Sequence, residues 1–154
     1  MFADLRWPFR NRRRIRKAMG GELVSPQFRE RLMMAVTAVN ECRYCSYYHA
    51  RESLRVGLSP AEIRQLTAGE LDSAPDEELP ALLFAQAWAE ADGDVEPDLW
   101  ARLQQTYGRE RAQAIETVLR MIRTGNLLGN SADWLLSKLS GGRWGHTATE
   151  RSAA

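Results

Sequence analysis

Both cysteines of the chain, Cys42 and Cys45, and His49, one of its two histidines, lie within eight positions of the stretch ECRYCSYYHARESLRVG. On a helix, successive residues turn by about 100° and rise about 1.5 Å. The three side chains then share a sector roughly 60° wide. Cysteines at i and i+3 have Cα atoms about 5 to 5.5 Å apart, inside the range of an unstrained disulfide. The residue types therefore suit a thiol pair that cycles between dithiol and disulfide beside a base. They also suit zinc, with Glu30 as a fourth ligand, although three ligands on one rigid helix make tetrahedral closure awkward. A c-type haem attachment is excluded, because His does not directly follow the second Cys.

Position along the helix distinguishes the two thiols. If the helix starts near Asn40 or Glu41, both cysteines sit in its first turn, where the partial positive charge favours a thiolate. His49 is one turn beyond Cys45 and about 10 Å along the axis from Cys42. Helical side chains lean toward the N-terminus, so the imidazole points back at Cys45. Cys45 is the expected low-pKa nucleophile and Cys42 the thiol out of reach of the base. A third group should orient such a base. Glu52, at i+3 on the same helix, and Glu30, on the preceding helix, both qualify by spacing.

The elements that must hold this stretch read as helices throughout. SPQFRERLMMAVTAV opens with Ser25 as N-cap and Pro26 at the first position, with Phe28, Leu32, Ala35, Val36 and Val39 as an apolar stripe. Met33 and Met34 read as core fillers. Gly57 ends the cysteine helix. SPAEIRQLTAG restarts with a capping box of Ser59 and Glu62 around Pro60. A loop rich in Asp, Ser and Pro occupies 72–76. DEELPALLFAQAWAEADG puts Leu79, Leu82, Leu83, Gln86 and Ala87 on one face. EPDLWARLQQTYG is a short helix ending at Gly108. The long segment from Arg109 carries Ile115, Val118, Leu119 and Ile122 as its stripe. Its Gly125 and Gly129 allow a kink or a close approach of another helix. No strand-period segment stands out, and the expected class is all-α, a single-domain bundle of six or seven helices. The expected organisation is a basic arm or helix at 1–20, a helical domain at 21–140 and a loose tail at 141–154.

Composition narrows the function classes. The 154 residues hold 21 basic and 20 acidic side chains, so no global field points to nucleic acid. No apolar run approaches the roughly 20 residues of a membrane span. The basic start lacks the apolar stretch of a signal peptide. A cytoplasmic protein is expected, a compartment where CxxC pairs are redox-active or metal-binding. Residues 70–98 hold ten acidic side chains and no basic one. The basic run from Arg10 to Lys17 is expected to be solvated or to pack against that acidic segment. The acidic loop DGDVEPD lacks the glycine and closing Glu of a calcium loop and reads as a turn.

Glu30, Cys42, Cys45 and His49, with eleven, two and three residues between them, precede a GLSPAEI restart. This pattern resembles the alkylhydroperoxidase D family of the carboxymuconolactone decarboxylase-like superfamily. The similarity is close over residues 25–66 and looser around YGRERAQAIETVLRMIRTGN. It implies an all-α fold, usually a homo-oligomer, and reduction of a hydroperoxide without a cofactor. It also implies an external dithiol that restores the pair. On the matching positions, Cys45 is the attacking thiol, Cys42 the resolving thiol, and Glu30 with His49 the proton relay. Tyr44 stands where better-known members carry a relay histidine. The decarboxylase branch does not use this cysteine pair. An oligomeric scaffold without turnover is the remaining alternative.

Overall fold

The computed structural model describes Trp7, residues 10–141 and Arg143. Among these residues there are six helices and no strand. They are α1 (Arg12–Met19), α2 (Pro26–Asn40), α3 (Arg43–Arg55), α4 (Pro60–Thr67), α5 (Leu79–Glu90) and α6 (Pro97–Leu139). No helix among the described residues is long and apolar enough to cross a membrane.

Helix α2 is the centre of the fold and packs against α3, α4, α5 and α6. Its start follows from local chemistry. Ser25 Oγ accepts from the backbone N–H of Phe28 at 3.1 Å, and Pro26 occupies a position that needs no N–H partner. Phe28, Leu32, Ala35 and Val36 are fully buried, and Met33 and Met34 join them in the core. The burial extends beyond one stripe: Glu30 and Thr37 are buried too. A helix covered on several sides must bury polar positions, and each of these two finds a hydrogen-bond partner.

Helix α4 starts as its sequence requires in one half only. Ser59 Oγ accepts from the N–H of Glu62 at 3.1 Å. The Glu62 carboxylate does not return to Ser59; it accepts from Arg31 Nε at 2.6 Å. Arg31 Nη1 also donates to Glu78 Oε2 at 3.0 Å. A charged guanidinium outcompetes a neutral backbone N–H for the carboxylate. The consequence is that one arginine ties α2 to α4 and to the start of α5.

The buried face of α5 differs from the expected one. Ala81, Leu82, Phe84, Ala85, Trp88 and Ala89 are buried, whereas Leu83 is exposed and Leu79, Gln86 and Ala87 are only partly covered. The helix lies between α2 and α6. Covered on two sides, it buries a broad face of alanines together with Leu82, Phe84 and Trp88 rather than one leucine stripe.

Helix α6 is broken where the sequence places a stop. Gly108 has φ 75° and ψ 156°, a conformation open to glycine and strained for other residues. Just before the break, the Tyr107 hydroxyl donates to the Glu77 carbonyl at 2.7 Å and accepts from the N–H of Ala81 at 3.2 Å. Beyond it, Ile115, Val118, Leu119 and Ile122 are buried as their spacing requires. The helix runs through Gly125 and Gly129 without a break. The basic segment is helical over α1 and packs on α6, with Ala18 fully buried. Lys17 pairs with Glu110, on α6 and outside the acidic stretch at 70–98. Apolar burial of Ala18 sets where this helix docks, and charge follows.

The glycines of α6 give opposite expectations for alanine. A β-carbon at either Gly108 or Gly125 meets nothing within 4 Å. Gly108→Ala should destabilise the fold by about 1–3 kcal/mol through backbone strain alone. Gly125→Ala should stabilise it by up to about 1 kcal/mol, because it is helical. Chemical denaturation of the two variants checks the pair of signs.

Candidate active site

Glu30 sits one turn inside α2, with only 4% of its surface exposed. Its Oε2 lies 2.8 Å from His49 Nδ1 on α3. The carboxylate expected from the resemblance is therefore the one in contact. Glu52, the alternative by spacing, accepts from Arg55 Nη1 at 2.6 Å on the outer face of α3. In the tautomer where Nδ1 donates to this carboxylate, the lone pair is left on Nε2. Tyr48 stacks edge-on against the imidazole with ring centroids 5.1 Å apart.

The turn between α2 and α3 places the thiols. Glu41 adopts a left-handed conformation with φ 51° and ends α2. Cys42 follows in extended geometry as the N-cap of α3. Cys45 is then in the first turn, and the Sγ atoms are 2.8 Å apart with both thiols free. Cys42 is buried to 1% exposure, whereas Cys45 is partly exposed.

The electrostatics of Cys45 differ from expectation. Burial, reinforced by the adjoining Cys42, pushes its thiol up to about 12, and its own backbone N–H pulls the other way. A helix terminus lowers a thiol pKa only where the charged form remains solvated; here desolvation wins. Cys45 and His49 share no direct hydrogen bond. They face the same cavity of about 490 Å³, whose walls include Met33, Tyr44, Tyr48, Met121 and Gly129. The two side chains thus share this space rather than a contact along the helix.

Helix α6 closes the back of the site. A β-carbon at Gly129 would lie 2.6 Å from Cys42 Sγ and 3.6 Å from Cys45 Sγ. One residue on, Asn130 Nδ2 donates to the Asn40 carbonyl at 2.9 Å. One turn further, Asp133 accepts from Arg43 Nε at 3.0 Å and Nη2 at 2.6 Å. Arg43 Nη2 also donates to the Tyr44 hydroxyl at 3.2 Å, which fixes the tyrosine at the cavity wall. Asn126 is buried to 1% exposure, and its Oδ1 accepts from Thr37 Oγ1 at 3.3 Å. Its Nδ2 has no partner. Sequence reading missed Asn126 and Met121. Asn126 had a signal: it lies four residues after Ile122, on the extension of the apolar stripe, where a polar residue must be buried.

The four expected site residues form two contacting pairs, Glu30 with His49 and Cys42 with Cys45. They do not close as a metal cage. The Glu30 carboxylate is occupied by His49, and among the described residues no three of His, Cys, Asp and Glu are spaced to hold an ion.

No curated protein and no solved structure matches the chain. Residues 9–91, just over half of its length, match a known family, and the matched segment spans α1 to α5 with all four of these residues. The chain belongs to the carboxymuconolactone decarboxylase family.

Proposed function

We propose that the protein is a dithiol peroxidase that reduces an organic hydroperoxide at Cys45. The observation that carries this reading is the single cavity shared by Cys45 and His49, with Glu30 behind the base and Cys42 behind the thiol. Membership of a family that includes enzymes supports it.

In this reading, Cys45 rests as a neutral thiol. When a hydroperoxide enters, His49 Nε2 takes the thiol proton, directly or through water. The sulfur attacks the terminal peroxide oxygen and the O–O bond breaks. The proton returns to the leaving alkoxide, which departs as an alcohol, and Cys45 becomes a sulfenic acid. Cys42 sulfur then attacks the sulfenic sulfur. An S–S bond forms, the S–O bond breaks, and water leaves with the Cys42 proton. An external dithiol reduces the disulfide by exchange. Glu30 holds the proton on Nδ1 and stabilises the imidazolium formed on the way. Tyr44, at the wall of the cavity, offers no basic nitrogen, so the relay runs through Glu30 and His49 without a second imidazole. A cytoplasmic setting would keep the thiols reduced between turnovers.

Self-association is part of the same reading. Leu128, Trp134, Leu135 and Leu139 are more than half exposed along the end of α6. At about 100° per residue Leu128, Leu135 and Leu139 fall on one face; exposed apolar groups on one face favour association, and we infer that a second copy covers them.

Four outcomes test the proposal. Cys45→Ser should abolish peroxide consumption, while Cys42→Ser should react once per subunit and leave a sulfenic acid that a dimedone-type probe traps. The reverse pattern would reassign the nucleophile. Glu30→Gln should lower the second-order rate with peroxide by about 100-fold or more, the usual scale of a disabled acid–base group, with the far-UV spectrum unchanged. Glu52→Gln should have little effect. Because the Cys45 pKa is raised, its thiolate fraction grows tenfold per pH unit until the pH nears that pKa. Iodoacetamide alkylation of Cys45 should accordingly rise through the range from about pH 7 to 10 without a plateau; a plateau near neutrality would show an activated thiolate at rest. Leu135→Glu should shift light scattering toward the monomer.

A further inference from the structure

We propose that Gly129 is a positioning residue for disulfide closure, holding the Cys42 sulfur in a recess of α6 so that it faces Cys45. This rests on the dithiol cycle proposed above and adds a residue outside the segment matched to the family, which ends at residue 91.

The recess is specific in its geometry. No heavy atom lies within 4 Å of a β-carbon at Gly125, one turn earlier on the same helix. At Gly129 the β-carbon would fall 2.6 Å from Cys42 Sγ, a separation that non-bonded carbon and sulfur do not tolerate. Cys42 is almost fully buried and its Sγ already lies 2.8 Å from Cys45 Sγ, so it has little room to yield. The helix cannot yield easily either. It is pinned beside the recess by Asn130 on the Asn40 carbonyl and by Asp133 on Arg43, groups that flank Cys42 on both sides in sequence. The absent side chain thus sets where the second sulfur sits. An alanine must push Cys42 Sγ away from its place, and with it the line along which Cys42 attacks sulfur on Cys45. Disulfide exchange requires the attacking sulfur to approach along the bond that breaks, so a small displacement is sufficient to slow closure.

Cys45 is affected differently. Its Sγ would lie 3.6 Å from the new β-carbon, ordinary contact, and it keeps its opening to the cavity. The substitution should therefore separate the two halves of the cycle, sparing access to Cys45 and impairing closure by Cys42.

The test uses Gly129→Ala in the full chain, in the wild-type background and in Cys42→Ala. Alanine is favoured over glycine inside a helix, so Gly125→Ala gives the propensity effect alone. In the reduced wild-type background, Gly129→Ala should lower Tm while Gly125→Ala raises it. With Cys42→Ala, which removes the clashing sulfur, Gly129→Ala should no longer lower Tm. Closure of the pair by oxidised dithiothreitol, which needs no peroxide, should slow at least tenfold in Gly129→Ala, with iodoacetamide alkylation of Cys45 within about twofold of wild type. An equal loss of Tm in both backgrounds would overturn the proposal, since the clash would not be with Cys42. So would an unchanged Tm, or an unchanged closure rate beside a lowered Tm. If Gly129→Ala fails to fold, Gly129→Ala with Cys42→Ala must still fold, and its failure overturns the proposal as well. A wild-type chain that closes with oxidised dithiothreitol but consumes no hydroperoxide would refute the peroxidase reading and leave this one standing.

Discussion

A carboxyl group buried in the central helix has to find partners, and in this chain its closest is an imidazole on the next helix at 2.8 Å, with the adjacent Arg29 guanidinium at 3.4 Å on its other oxygen. That contact fixes more than His49. Glu30 is buried because α2 is covered on several sides, and a buried carboxylate left alone is strongly destabilising. Helix α3 lies across α2 in the register that brings His49 to Glu30, the shorter of the two contacts. The same register turns Cys45 and His49 toward one cavity and carries Cys42 inward. The site geometry is in this sense a consequence of satisfying one polar group in the core.

Much of the frame was legible because its signals are local. Ser25 with Pro26 and Ser59 with Pro60 mark helix starts through hydrogen bonds that span three residues. Gly108 marks a break through its own backbone angles. The stripe at Ile115, Val118, Leu119 and Ile122 is buried as its period requires. What failed depended on neighbours distant in sequence. The α5 face could not be read because two helices bracket it, so Ala81, Phe84, Ala85 and Trp88 are buried alongside Leu82. Glu62 joined Arg31, thirty-one residues away, instead of the backbone beside it.

The site shows the same division. The spacing of Cys42, Cys45 and His49 places them on one side of a helix, but it does not report how much water reaches them. Helix position argues for a thiolate at Cys45, and desolvation, which depends on what packs over the turn, argues the other way and prevails. The choice between Glu30 and Glu52 was open by spacing on one helix alone, because it depends on which side of α3 meets α2. Gly129 stood out in the sequence as a place for close approach; that the approaching group is a sulfur atom could only come from the fold.

The two cysteines are separated by Arg43 and Tyr44 alone. A bond between them would close a ring of four residues at the head of one helix. On the chain-entropy scale such a ring constrains the unfolded polypeptide by roughly 2 kcal/mol, against nearly 5 for a loop of a hundred residues. Forming that bond would thus bias the folding equilibrium by less than half as much as a long-range disulfide would. If the pair cycles as proposed, each closing and reopening of this short ring would disturb the fold far less than a disulfide joining distant parts of the chain.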